Sequence, residues 1–129
     1  MEALMPSNVK EMLAAANAAV PKITPDEAKR LIADQNALVL DVRDASEVQA
    51  SGKIMGALNI SRGMLEFRAD ADTPYHNPEL RTDRPIIIYC ASGGRAALSG
   101  KVLKEMGYKT VYNLGAFKDW VEIGWEVEK

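Results

Sequence analysis

The chain has one cysteine and one histidine in 129 residues. A single thiol cannot close an intramolecular disulfide, so the fold does not depend on an oxidising compartment. One His and one Cys, in segments without ligand spacing, argue against a metal site, and no cofactor is expected. No apolar run approaches the ~18 residues of a membrane span. Near the start Glu2 stands where a secretory signal would carry basic residues, and no long apolar stretch follows, so the expected compartment is the cytoplasm. Sixteen basic against eighteen acidic residues leave a net charge of −2. Without a global basic footprint, nucleic acid is not an expected partner. Neither an internal repeat nor a low-complexity segment is present.

What remains is the composition of an ordinary globule, 47% apolar and 26% charged, long enough to bury one real core. Short apolar runs alternate with stretches of helical period. Residues 86–89 are β-branched and aromatic without polar alternation, and residues 38–42 are aliphatic apart from Asp41, which predicts strands buried on both faces. Strand and helix patterns in alternation predict an α/β fold with a parallel sheet flanked by helices.

Residues 7–20 read as a helix with Ser7 as N-cap and Val9, Met12, Leu13, Ala16, Ala19 and Val20 on one face. That face either packs on the domain itself or serves a second copy or a docking partner. Thr24-Pro25-Asp26-Glu27 is a helix start with a capping box, and Ala28, Leu31 and Ile32 face inward. Asp41 and Arg43 stand at the C-terminal end of the strand over 38–42, where open α/β sheets collect function. Arg43 either pairs with Asp44 or helps to orient a neighbouring loop. A short helix spans 45–50 and carries Glu47, read as structural. A turn with Gly56 and a short strand occupy 52–60, and a brief helix 62–68 packs through Met64, Leu65 and Phe67. Residues 70–81 are polar, with Pro74 and Pro78, and read as a loop at the rim of a site, His76 included. A strand over 110–113 and a last helix over 115–121, with Phe117, Trp120 and Val121 apolar and the Phe and Trp positions read as core, complete the chain.

The chemistry concentrates at Cys90-Ala91-Ser92-Gly93-Gly94-Arg95. A buried strand ends in the only thiol, a small turn follows, and Ala96, Leu98, Val102, Leu103 and Met106 recur at helical spacing up to the stop at Gly107. Free N–H groups at a helix N-terminus point outward and favour negative charge. A sulfur facing them is favoured as the thiolate, the nucleophilic form. Gly93 and Gly94 let the backbone curl around an anion, and Arg95 adds a fixed cation. Four residues separate Cys90 from Arg95. The similar cysteine-phosphatase pattern has five, so this cradle is smaller and suits one extra sulfur atom better than a phosphate.

This loop resembles the active-site loop of the rhodanese family of sulfurtransferases. Asp41-Val42-Arg43-Asp44 with Glu47 resembles the family's first signature. Residues 52–60, Gly-Lys-Ile-Met-Gly-Ala-Leu-Asn-Ile, resemble a second, with Lys53 and Met55 where the family usually has His and Pro. Gly107-Tyr108, then Val111-Tyr112-Asn113-Leu114-Gly115 and Trp120, resemble the C-terminal one, with Ala116 where a second Gly is common. The resemblance covers residues 22–127. It implies a rhodanese-like domain over 22–129 behind a helical extension over 1–21, and a five-stranded, mainly parallel sheet with helices on both faces. It further implies a persulfide carried on Cys90, which moves sulfur from a small donor such as thiosulfate to cyanide or a thiol. Ala91, Ser92, Gly93, Gly94 and Arg95 are the expected substrate-binding residues, with Asp41 and Arg43 behind them. Arg95 either binds the donor or braces the loop, Ser92 either contacts the persulfide or favours the turn, and Arg62 or Arg68 can add charge at the rim. The other reading is a non-catalytic binding or sulfur-carrier module.

Overall fold

The computed structural model describes residues 6–129; residues 1–5 of the expected extension lie outside the described residues. In chain order the elements are α1 (Val9–Ala19), α2 (Pro25–Gln35), β1 (Leu38–Asp41), α3 (Ala45–Ser51), β2 (Lys53–Ile54) and β3 (Leu58–Asn59). A 3-10 turn (Arg62–Met64), α4 (Leu65–Ala69), β4 (Ile86–Cys90), α5 (Gly94–Glu105), β5 (Val111–Ala116), α6 (Phe117–Glu122) and β6 (Val127–Glu128) follow.

The main sheet has strand order β3-β1-β4-β5, with every neighbouring pair parallel. Where five strands were expected, the fifth position is a single bridge, Lys22 beside Asn113. Pro25 explains why it goes no further, because it opens α2 three residues later. The remaining strands, β2 and β6, form a separate antiparallel ribbon. Lys53, which stands where the family usually has His, ties that ribbon shut by donating to the Ala57 carbonyl at 2.7 Å and pairing with Glu128.

All four residues of β1 and all five of β4 are buried, which accounts for the missing polar alternation. Side-chain parity sorts them into two cores. Leu38, Leu40, Ile86, Ile88 and Cys90 belong to the cluster that also holds Val20, Leu65 and Leu103. Val39, Ile87 and Tyr89 belong to the other, with Ala28, Ile54, Phe117 and Trp120.

Thr24 and Glu27 form the capping box of α2. At α1 the cap is Asn8, whose side chain accepts from the Glu11 N–H at 2.9 Å, and not Ser7, whose hydroxyl reaches the Glu11 carboxylate instead. Helix α1 packs along α5. Ala16 and Val20 are buried there, while Val9 and Met12 are exposed. Phe67 and Val121 also lie outside the core, and Phe67 packs edge-on against Tyr75. The last helix starts at Phe117 rather than at 115, because β5 runs on to Ala116 beside Cys90.

Candidate active site: a sulfur at the head of α5

Strand β4 delivers Cys90 to the start of α5, where Gly93 holds the N-cap position at φ +100°. Gly93 has no side chain to cap the helix. The cysteine sulfur fills that role. The Gly93 N–H donates to Cys90 Sγ at 3.0 Å and the Ala96 N–H at 3.4 Å. Ala96 is the third residue of the helix, whose amide is the one an ordinary Ser or Asp cap would take. The sulfur therefore faces two oriented donors and the positive end of a twelve-residue helix. Cys90 has no exposed surface. The sulfur is thus enclosed beneath the turn.

Arg95 reaches across to α3. Its Nη1 and Nη2 donate to Glu47 Oε2 and Oε1 at 2.7 and 2.9 Å. The Arg95 guanidinium, with the Asp44 N–H at 2.9 Å, holds the Glu47 carboxyl down to about 2. The same carboxylate holds Arg95 further into its charged form. The loop is braced by an ion pair, and Glu47 belongs to the site. The signature segment that holds Glu47 shows only after folding that its partner is Arg95.

Asn113 supplies the second brace. Its Nδ2 donates to the Gly93 carbonyl at 3.3 Å, and its Oδ1 accepts from the Gly115 N–H at 2.8 Å. The register of β4 against β5 slips here, so that Tyr89 faces Gly115 and Cys90 faces Ala116. Leu114 is the extra residue, and the Trp120 indole N–H fixes its carbonyl. A polar Asn followed by Leu-Gly within a strand is a bulge signal, since Asn and Gly are depleted from regular strands.

The other expected residues divide. Ala91 and Ser92 are exposed on the turn, and Gly93 and Gly94 are half-buried within it. Asp41 and Arg43 are not brought to the sulfur. Arg43 does not pair with Asp44 but with Asp41, Nη2 to Oδ2 at 2.8 Å, and both are buried. It also donates to Ser51 Oγ and the Gly52 carbonyl at 2.9 and 2.6 Å, and stacks its guanidinium 4.1 Å from the Phe117 ring centroid. Phe117 and the neighbouring Tyr89 belong to the core opposite the sulfur. The Tyr89 hydroxyl accepts from the Ile54 N–H, and burial pushes its phenol up.

Residues 70–81 do not form a rim around Cys90. Asp70 and Thr73 share a cleft with Glu105 and Met106, at the C-terminal end of α5. That end is ~18 Å of helix away from the sulfur. His76 faces the Leu80 carbonyl within this loop. Arg62 pairs with Glu66 at 2.8 Å, and Arg68 lies exposed on α4. Among the described residues no three His, Cys, Asp or Glu side chains converge as metal ligands, and no helix is long and apolar enough to cross a membrane.

The family model for the rhodanese-like domain matches residues 24–123. The chain belongs to the rhodanese-like domain family. An uncharacterised Bacillus subtilis protein is 34% identical over 87 residues, 67% of this chain and 62% of that one, so the match spans less than two thirds of that relative. A thiosulfate sulfurtransferase of Actinobacillus succinogenes is 32% identical over 112 residues, 85% of this chain and 92% of that one. Among solved structures, a Rhodopseudomonas palustris protein described as a possible tyrosine phosphatase of unknown function is 34% identical, covers 99% of both chains and superposes with a TM-score of 0.86. The rhodanese-like model begins after α1, yet Leu13 of α1 lies at van der Waals distance, 3.8 Å, from where a side chain on Gly94 would begin.

Proposed function

We propose that this rhodanese-like protein is a sulfurtransferase that carries sulfane sulfur as a persulfide on Cys90. The observation that supports this most is the pair of N–H groups, from Gly93 and Ala96, directed at Sγ from the head of α5. The Cys90 thiolate attacks the outer sulfur of a donor such as thiosulfate. The donor's S–S bond breaks, its electron pair leaves with sulfite, and Cys90 carries the sulfur. The amides then stabilise a negative persulfide as an oxyanion hole stabilises developing charge. In the second half-reaction a thiol or cyanide takes the outer sulfur and the electron pair returns to Cys90, so the kinetics are ping-pong. Arg95, engaged by Glu47, keeps the turn in shape.

The test is the intact mass after incubation with thiosulfate. A gain of about 32 Da on Cys90, absent from Cys90→Ala and Cys90→Ser, is the expected result. An unchanged mass with several donors would favour the non-catalytic binding module. Four residues between Cys90 and Arg95, one fewer than in the cysteine-phosphatase pattern, argue against phosphate. Efficient turnover of an aryl phosphate would contradict that loop-size argument.

A further inference from the structure

Beside the catalytic turn lies a groove of about 450 Å³, walled by Ser92 and Gly93 on one side and by Leu13 and Asn17 of α1 on another. It shares Gly93 with the sulfur, since the N–H of that residue meets Sγ. Two unlike charges line the groove, Lys22 and Asp119. Neither makes an ion pair among the described residues. They face one space without meeting, which leaves room for a ligand between them.

The backbone beneath both charges is fixed. Lys22 sits between two hydrogen bonds to Asn113, from Ile23 N–H to its carbonyl at 3.2 Å and from its N–H to the Pro21 carbonyl at 2.9 Å. Asn113 in turn holds the Gly93 carbonyl. A short chain of bonds thus relates Lys22 to the sulfur. Asp119 precedes Trp120 and follows Phe117 by two residues, and both aromatic anchors are buried.

The geometry points to a subsite for a small zwitterionic thiol as sulfur acceptor, its carboxylate at Lys22 and its ammonium at Asp119. This rests on the sulfur-transfer reading above and names the acceptor class for it. A groove with one charge of each sign complements a molecule with one of each, while a dianion or dication meets a like charge there. With the head held, the acceptor's thiolate attacks the outer sulfur of the Cys90 persulfide. The bond between the two sulfurs breaks, its electron pair returns to Cys90 Sγ, and the acceptor leaves as its own persulfide. No further reagent is needed. Lys22 and the α1 wall lie outside residues 24–123, the region matched by the family model, while Asp119 lies within it.

The experiment loads the full chain with sulfur from thiosulfate, verifies the mass gain, removes the donor and follows discharge by cysteine, 3-mercaptopropionate, cysteamine and 2-mercaptoethanol. Comparing each thiol with itself across variants cancels its intrinsic reactivity. Lys22→Gln is expected to raise the half-saturating concentration of cysteine and 3-mercaptopropionate by about two- to fivefold, and Asp119→Asn that of cysteine and cysteamine by a similar factor. Both positions are exposed, so the core is left intact. Variants that leave the cysteine value unchanged, or that shift neutral 2-mercaptoethanol as much as cysteine, overturn the subsite. No sulfur uptake by the unaltered protein overturns sulfur transfer and the subsite together; normal uptake followed by charge-blind discharge overturns the subsite alone.

Discussion

Glu47 and Arg95 meet across 48 positions of sequence in a two-pronged ion pair, 2.7 and 2.9 Å long. One partner rides on α3 and the other on the first turn of α5, so the pair fastens the turn after Cys90 to a neighbouring helix. The Glu47 carboxyl ordinarily titrates near 4.5 and is held down to about 2 in the fold. A depressed folded value means that the unfolded chain binds the proton more readily. The contribution is therefore whole above about pH 4.5 and is lost as the pH falls toward 2. Glu47→Gln should flatten the acid limb of thermal stability between those values and cost about 1 kcal/mol or less at neutral pH, because both groups are about one-third exposed. Melting temperature against pH for both proteins measures this. An acid limb as steep in the variant would contradict it.

Cys90 has no exposed surface beneath its turn. Iodoacetamide should therefore outpace a bulky N-aryl iodoacetamide at Cys90 by a wider margin than it does at a free thiol in solution. Mass spectrometry over time gives both rates. Equal relative rates for the protein and the free thiol would mean that the sulfur stands open.

Arg43 and Asp41 are a buried pair on the side of the sheet away from the sulfur. Arg43→Met leaves the Asp41 carboxylate buried without its cation and should destabilise the fold by about 3–5 kcal/mol. The folded fraction should still take up sulfur at Cys90. Denaturant unfolding with mass analysis of the folded protein separates the two effects; loss of uptake at intact stability would assign the pair to the site.

Gly100 marks the crossing of α1 and α5. A side chain there would begin 2.9 Å from both methyl carbons of Val20. Gly100→Ala gains about 1 kcal/mol in helix propensity, yet should destabilise the protein overall through overpacking, typically ~1–3 kcal/mol. Adding Val20→Ala should recover part of the loss. A Gly100→Ala protein more stable than its parent would show that the two helices separate at little cost.

Local signals set much of this molecule. Thr24, Pro25 and Glu27 define the start of α2, and the apolar runs at 38–40 and 86–90 define strands buried on both faces, because capping and hydrophobic pattern act within a few residues. The order of strand, thiol, glycine turn and helix also reads directly, since each step is a neighbour in sequence. Tertiary structure alone decided which distant groups complete the site. Strand parity sends the Asp41–Arg43 pair to one core and the Cys90 sulfur to the other. Folding carries residues 70–81 to the far end of α5, while Glu47, Asn113 and the α1 wall, separate in the chain, come to the turn. The physical reason is that a linear pattern fixes what each segment buries, whereas the partners of a polar group depend on how those segments pack, and no local period records that.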